Sequence, residues 1–202
     1  MKLYYTPGAC SLASHIALRE AGLPFDLEAV DLGSKKTAGG ADFLAINSKG
    51  YIPALALDDG AVLTEGVSIM LWVAAQAPTK GLAPNAASPQ YPKLVEWMIF
   101  IATELHKAAG GLFNPAYPDE ARTIMKANLA RRLDWADQAL AVGPFLMGNV
   151  FTVADGYLFT VFSWLPHLGL DQGKWPNLNA HFTRVKARPA VAAALKGEGL
   201  AG

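Results

Sequence analysis

The stretch from Pro78 to Pro89, PTKGLAPNAASP, holds three prolines and no periodic pattern, and the chain reads differently on either side of it. Before it, short β-rich runs alternate with helical ones. KLYYT (2–6) reads as a strand and SLASHIALREAG (11–22) as a helix ending at Gly22, although its apolar periodicity is blurred. FDLEAVDL (25–32) alternates as a second strand, which makes a βαβ unit with a right-handed crossover and a parallel pair. ADFLAI (41–46) is a short helical stretch, IPALALDDGAVLT (52–64) a hairpin turning at Asp59-Gly60, and EGVSIMLWVAAQ (65–76) a helix. After the prolines no strand-like run of comparable clarity follows. Tyr91, Leu94, Met98, Ile101 and Leu105 step at helical spacing, 119–142 reads as a long helix, and 177–195 supplies one or two more. Thr152 and Asp155 form a capping-box pattern at the head of another helix. The reading is a small α/β domain over 1–78, a linker over 79–89, and an all-helical domain over 90–202.

Composition narrows the function classes. Lys plus Arg equals Asp plus Glu, 17 each, so no net field favours nucleic acid or an anionic membrane. The composition is 52% hydrophobic, yet no apolar run approaches the ~18 residues a membrane span needs. Pro7-Gly8 interrupts the N-terminus before a signal-peptide core can form, and one cysteine makes no internal disulfide; a cytoplasmic location is therefore the default expectation. That cysteine, Cys10, follows a Pro-Gly turn and precedes a helix, where oriented N–H groups favour a thiolate. The plain alternative, a small buried hydrophobe, is poor because Pro7, Gly8 and Ala9 offer little to pack against.

Six segments in order, MKLYYTPGACSLASHIALREAG, VDLGSKKT, NSKGYIPAL, LDDGAVLTEGVSIM, EWMIFIATELHK and FTVADGYLFTVF, resemble the cytosolic glutathione S-transferases, most closely the bacterial beta class. The resemblance spans nearly the whole chain. It implies a thioredoxin-like N-terminal domain, an all-α C-terminal domain, a homodimer, and glutathione as co-substrate with no metal.

It also implies a site, residue by residue. Ile52, before a cis Pro53, would pair its backbone with the cysteinyl part of glutathione. Gly66 N–H, at a helix start, would take the γ-glutamyl carboxylate, with Glu65 near the ammonium. Without the resemblance, Glu65 reads only as a favourable charge at a helix start. Lys35, with Lys36 as its rival, would meet the glycyl carboxylate from the loop GSKKTAGG, which has no apolar reason to be ordered, and Ala9, next to Cys10, would also contact glutathione. Ile99, Thr103 and His106 share a helical stripe beside the core stripe, and Ile99 stands where many relatives carry Asn, so one glutathione contact is missing here. Thr103 and Glu104 would approach the partner's glutathione. Cys10, Ser11 and His106 are the catalytic candidates, Ser11 and His106 as donors to the sulfur. A lone helical His is more often structural, and His167 and His181 are read that way.

The expected activity is conjugation of the glutathione thiolate to small hydrophobic electrophiles. A second enzymatic reading is monothiol disulfide reduction or peroxidase chemistry at Cys10, since Ala13 stands where a C-x-x-C pair would place its second cysteine. A non-enzymatic alternative is a binding protein for glutathione adducts or hydrophobic compounds.

Overall fold

The computed structural model describes residues 1–200 and divides into two compact units, Met1–Ala83 joined by the chain from Arg188, and Pro84–Ala187.

In the first unit a five-stranded sheet is ordered β3-β2-β1-β4-β5. β1 (Lys2–Tyr5) pairs in parallel with β2 (Asp26–Asp31), and α1 (Ser11–Ala21) crosses between them. β4 (Ala54–Ala56) runs antiparallel to β1, with Leu3 opposite Leu55, and β5 (Val62–Thr64) closes that side. Alternation along a strand covers both faces. Tyr4, Val30 and Ala54 bury against Phe43 of α2 (Phe43–Ile46), whereas Leu3 and Leu55 point the other way and are fully buried. α3 (Gly66–Gln76) packs on α1. The order is that of a thioredoxin-like domain.

α1 ends where the chain turns left-handed at Gly22, φ 69°, a conformation a side chain resists. Its blurred periodicity has a physical cause. It packs on α3 and also on α9 (Pro189–Gly197), so all but Arg19 and Glu20 of its residues are buried. The C-terminal boundary therefore differs from the expected 90–202. α9 buries Val191 and Ala194, and Arg188 grips Glu20 with a two-pronged pair, so the last helix folds with the N-terminal unit. The loop around Lys35 is also more ordered than expected. Asp31 caps it through the Gly33 and Ser34 N–H groups, and Lys36–Thr37 form β3 on the edge of β2. Thr37, not an apolar residue, is the side chain buried there.

The second unit is helical. α4 (Tyr91–Phe100) runs through a π-helical turn, Ile101–His106, into α5 (Lys107–Gly111). Of the expected stripe, Leu94, Met98, Ile101 and Leu105 are fully buried and Tyr91 is partly buried. α6 (Asp119–Ala139), α7 (Val153–Phe162) and α8 (Pro176–Lys186) complete it. Every residue of α7 is buried, and Thr152 with Asp155 makes the capping box at its head. His181 is buried on α8, whereas His167 is exposed. Among the described residues no helix is long and apolar enough to cross a membrane.

Candidate functional site

In the first unit three chain segments far apart in sequence meet. The Pro7-Gly8 turn delivers Cys10 to the start of α1, with its backbone already helical at φ −59° and ψ −22°. Its thiol caps no helix N–H; Sγ donates instead to the Ile52 carbonyl at 3.4 Å. A carbonyl oxygen carries two lone pairs, so Ile52 keeps capacity for a second donor. The Ile52-Pro53 bond is cis, as the resemblance implied. A side chain added at Gly66 would stand 3.7 Å from the Pro53 ring, which brings the head of α3 against the same turn. Ala9 and Cys10 pack on the Tyr4–Phe43–Ile52 cluster.

Glu65 precedes α3 with φ at 68°, a left-handed conformation that costs a residue with a Cβ on the order of 1 kcal/mol or more. Its carboxylate is largely exposed and pairs with Lys49 at 2.6 Å, a partner that sequence reading missed. Among the described residues Lys35 is the other left-handed non-glycine residue, φ 57°, and its ammonium donates to the Gly50 carbonyl at 2.9 Å. It thus braces the loop that leads to Ile52. Lys36 lies exposed on the edge strand.

Ser11 does not stand as a donor to a ligand sulfur. It is fully buried, its hydroxyl proton goes to the Thr6 carbonyl at 3.2 Å, and its oxygen accepts from the Thr6 N–H at 3.2 Å. A hydroxyl has one proton, and Thr6 takes it. Ser11 instead ties α1 to the end of β1. A second brace is the side chain of Glu198, which accepts from Gly8 N–H at 2.9 Å and pairs with His15 Nδ1 at 2.9 Å, fully buried.

In the second unit Ile99, Thr103 and His106 lie along one continuous helical run, with Thr103 and His106 inside a π-helical turn over 101–106. Ile99 is half exposed and Thr103 exposed, the Thr103 hydroxyl donating to the Ile99 carbonyl at 3.0 Å. Glu104 pairs with Arg132 at 2.7 Å. His106 turns to α7, where Nδ1 lies 2.6 Å from the Tyr157 hydroxyl and the ring stands edge-on to Trp164 at 5.1 Å. Burial pushes the His106 pKa down to about 4, with the Lys107 charge adding, so the imidazole is neutral at pH 7.

Comparison with known proteins matches this arrangement. The family model "Glutathione S-transferase, N-terminal domain" matches residues 8–76, and "Glutathione S-transferase, C-terminal domain" matches 100–189. The chain is 45% identical to glutathione S-transferase GstA of Escherichia coli O157:H7, covering 99% of this chain and all of that one. Among solved structures, a bacterial beta class glutathione S-transferase of Sphingomonas chungbukensis superposes with a TM-score of 0.96 at 44% identity, over 99% and 100% of the two chains. A sphingomonad glutathione S-transferase complexed with glutathione gives 0.96 at 45% identity over the same shares.

Proposed function

The chain belongs to the glutathione S-transferase family, and from that premise we propose that it joins the glutathione thiolate to small hydrophobic electrophiles, with glutathione held at the Cys10–Ile52–Gly66 junction. The observation that carries this reading is the convergence of those three segments, with Cys10 Sγ 3.4 Å from the Ile52 carbonyl. Glutathione is a short peptide with a carboxylate at each end and a thiol between. An extended backbone group at Ile52 takes its middle as a strand takes a neighbour. The N–H groups opening α3 at Gly66 take the γ-glutamyl carboxylate, and Glu65 takes its ammonium. Lys35, already at the Gly50 carbonyl, reaches the glycyl carboxylate. Little covalent work by the protein is needed. The site lowers the thiol pKa with donors and holds the electrophile close.

A kinetic screen with glutathione against aryl halides, epoxides, peroxides and mixed disulfides tests the reading. Conjugation supports it. Retention on glutathione resin with no turnover across the panel favours the binding-protein alternative. Glu65→Ala is expected to weaken glutathione by about tenfold in calorimetry, the loss of one hydrogen bond between charged groups. An unchanged dissociation constant removes Glu65 from the site.

The proposal includes a two-fold homodimer in which Thr103 and Glu104 approach the partner's glutathione. It is supported by a groove of about 530 Å³ beside the Glu104–Arg132 pair, floored by Trp97, Phe100 and Trp135. Their ring centroids lie 4.7–5.9 Å apart in tilted and edge-on pairs, and Trp135 is half exposed. An exposed aromatic patch of this kind calls for cover. Light scattering at micromolar concentration is expected to give twice the chain mass; a monomer refutes the dimer.

A further inference from the structure

His106 and Tyr157 lie 51 residues apart on different helices, and each fixes the other's geometry. The phenol oxygen sits 2.6 Å from Nδ1, with the rings at 87° and their centroids 5.8 Å apart. Trp164 stands against the imidazole on a second side, its ring at 67°. Tyr157 and Trp164 are both buried, so neither has room to swing away. The opposite edge of the imidazole is less crowded. Gly110 faces Cδ2, the carbon next to Nε2, where even an added Cβ would be only at contact distance, 3.7 Å. Among the described residues Nε2 has no hydrogen-bond partner, and it is not sealed from solvent, because the only sealed, unpartnered side-chain polar atom among them is Ser14 Oγ.

A neutral imidazole carries one proton on one of its two nitrogens, and the partner of the first nitrogen decides which. Two arrangements fit a 2.6 Å contact: the phenol donates to bare Nδ1, or Nδ1–H donates to the phenol oxygen. The phenol O–H is the stronger acid of the two donors, and a bare imidazole nitrogen is a better acceptor than a phenol oxygen. The first arrangement pairs the better donor with the better acceptor.

We propose that Tyr157 is a positioning residue that donates its hydroxyl proton to His106 Nδ1, locks the imidazole proton on Nε2, and makes Nε2–H the one donor His106 offers to a ligand. That donor sits on an aromatic wall formed by Tyr157 and Trp164 and extended by Phe113, whose ring meets Trp164 edge-on at 6.1 Å. The ligand group it suits is an uncharged or anionic acceptor attached to an apolar body. A thiolate sulfur qualifies, as does the carbonyl, nitro or epoxide oxygen of an aromatic electrophile. The catalytic consequence rests on the reading of His106 as a site residue; the tautomer does not.

The test uses the full chain labelled with 15N-histidine, in the wild type and in Tyr157→Phe. Nitrogen–proton correlation spectra at pH 7 are expected to show His106 with a bare, hydrogen-bonded Nδ1 and a protonated Nε2. In Tyr157→Phe the Nδ1 signal is expected to move toward that of a free bare nitrogen. A wild-type His106 protonated on Nδ1, or an Nδ1 signal unmoved by the substitution, overturns the proposal. Activity supplies an independent arm. Tyr157→Phe is expected to lower kcat for conjugation about tenfold with little change in KM, and to have no further effect in a His106→Ala background. Equal losses in both backgrounds mean that Tyr157 acts on packing alone and overturn its role through His106. If His106→Ala leaves turnover intact while the Nδ1 signal still moves, the tautomer lock stands and His106 leaves the proposed catalytic site.

Discussion

Asp155→Ala is expected to destabilise the protein by roughly 3–5 kcal/mol, more than a helix cap alone explains. Capping accounts for about 0.5–2 kcal/mol, through the Thr152 N–H at 2.8 Å and the Thr152 hydroxyl at 3.0 Å, both on Oδ2. The other oxygen does separate work. Oδ1 accepts from the Leu146 N–H at 2.8 Å and from His181 Nε2 at 3.0 Å. Asp155, Thr152 and His181 are almost wholly buried, so removing the carboxyl strands four donors that water cannot reach, the Leu146 and Thr152 N–H groups, the Thr152 hydroxyl and His181 Nε2. Each stranded donor costs about 1–3 kcal/mol. For a chain of this size the melting temperature falls on the order of 10 °C. Asp155→Asn keeps one acceptor oxygen but turns an NH2 toward a donor, so its loss is expected to be intermediate. Calorimetric unfolding decides the matter: a loss below about 1.5 kcal/mol for Asp155→Ala shows that only the cap contributes and that Leu146 and His181 find other partners.

What the sequence made legible is local. The strand–helix–strand opening, the Asp59-Gly60 hairpin, the α4 stripe and the Thr152–Asp155 box are each written within a few turns of chain. Short-range periodicity and capping chemistry are enough to read them. What stayed illegible depends on residues brought together from far away. Two residues of β3 are too few to show alternation, and it exists because the Asp31 turn folds Lys36 and Thr37 back onto β2. The placement of α9 with the N-terminal unit follows from Glu198 meeting Gly8, 190 residues earlier, and no pattern in either segment announces it. Ser11 looked like a sulfur donor because it neighbours Cys10. Only the fold reveals that the Thr6 backbone takes its proton. The π-helical turn that carries His106 leaves no mark in apolar spacing either. Tyr157, in a helix buried along its whole length, had no sequence signal to connect it with His106.

Cys10→Ala is expected to abolish glutathionylation outright while leaving much of the conjugating activity. The thiol is half buried, on the turn braced by Ser11 and Glu198, and the Ile52 carbonyl it touches is the group proposed to hold the cysteinyl part of glutathione. A glutathione sulfur bound there lies within reach of Sγ. With glutathione disulfide as oxidant, the Cys10 thiolate attacks one sulfur, a protein–glutathione disulfide forms, and one glutathione thiolate leaves and takes up a proton. A further glutathione thiolate then attacks the bound glutathione sulfur and restores Cys10. No second protein cysteine exists to resolve it, so the cycle is monothiol. Conjugation runs the other way. It needs glutathione as a free thiolate, and the mixed disulfide blocks it, so one cysteine does not serve both reactions at the same moment. Mass spectrometry after exposure to glutathione disulfide is expected to show a ~305 Da adduct on the wild type and none on Cys10→Ala. Disulfide reduction is expected to fall with it, and conjugation by less than tenfold. A fall in conjugation of ~10³-fold, the scale of losing a principal thiolate-stabilising donor, makes Cys10 the activator of glutathione and ends this division of labour.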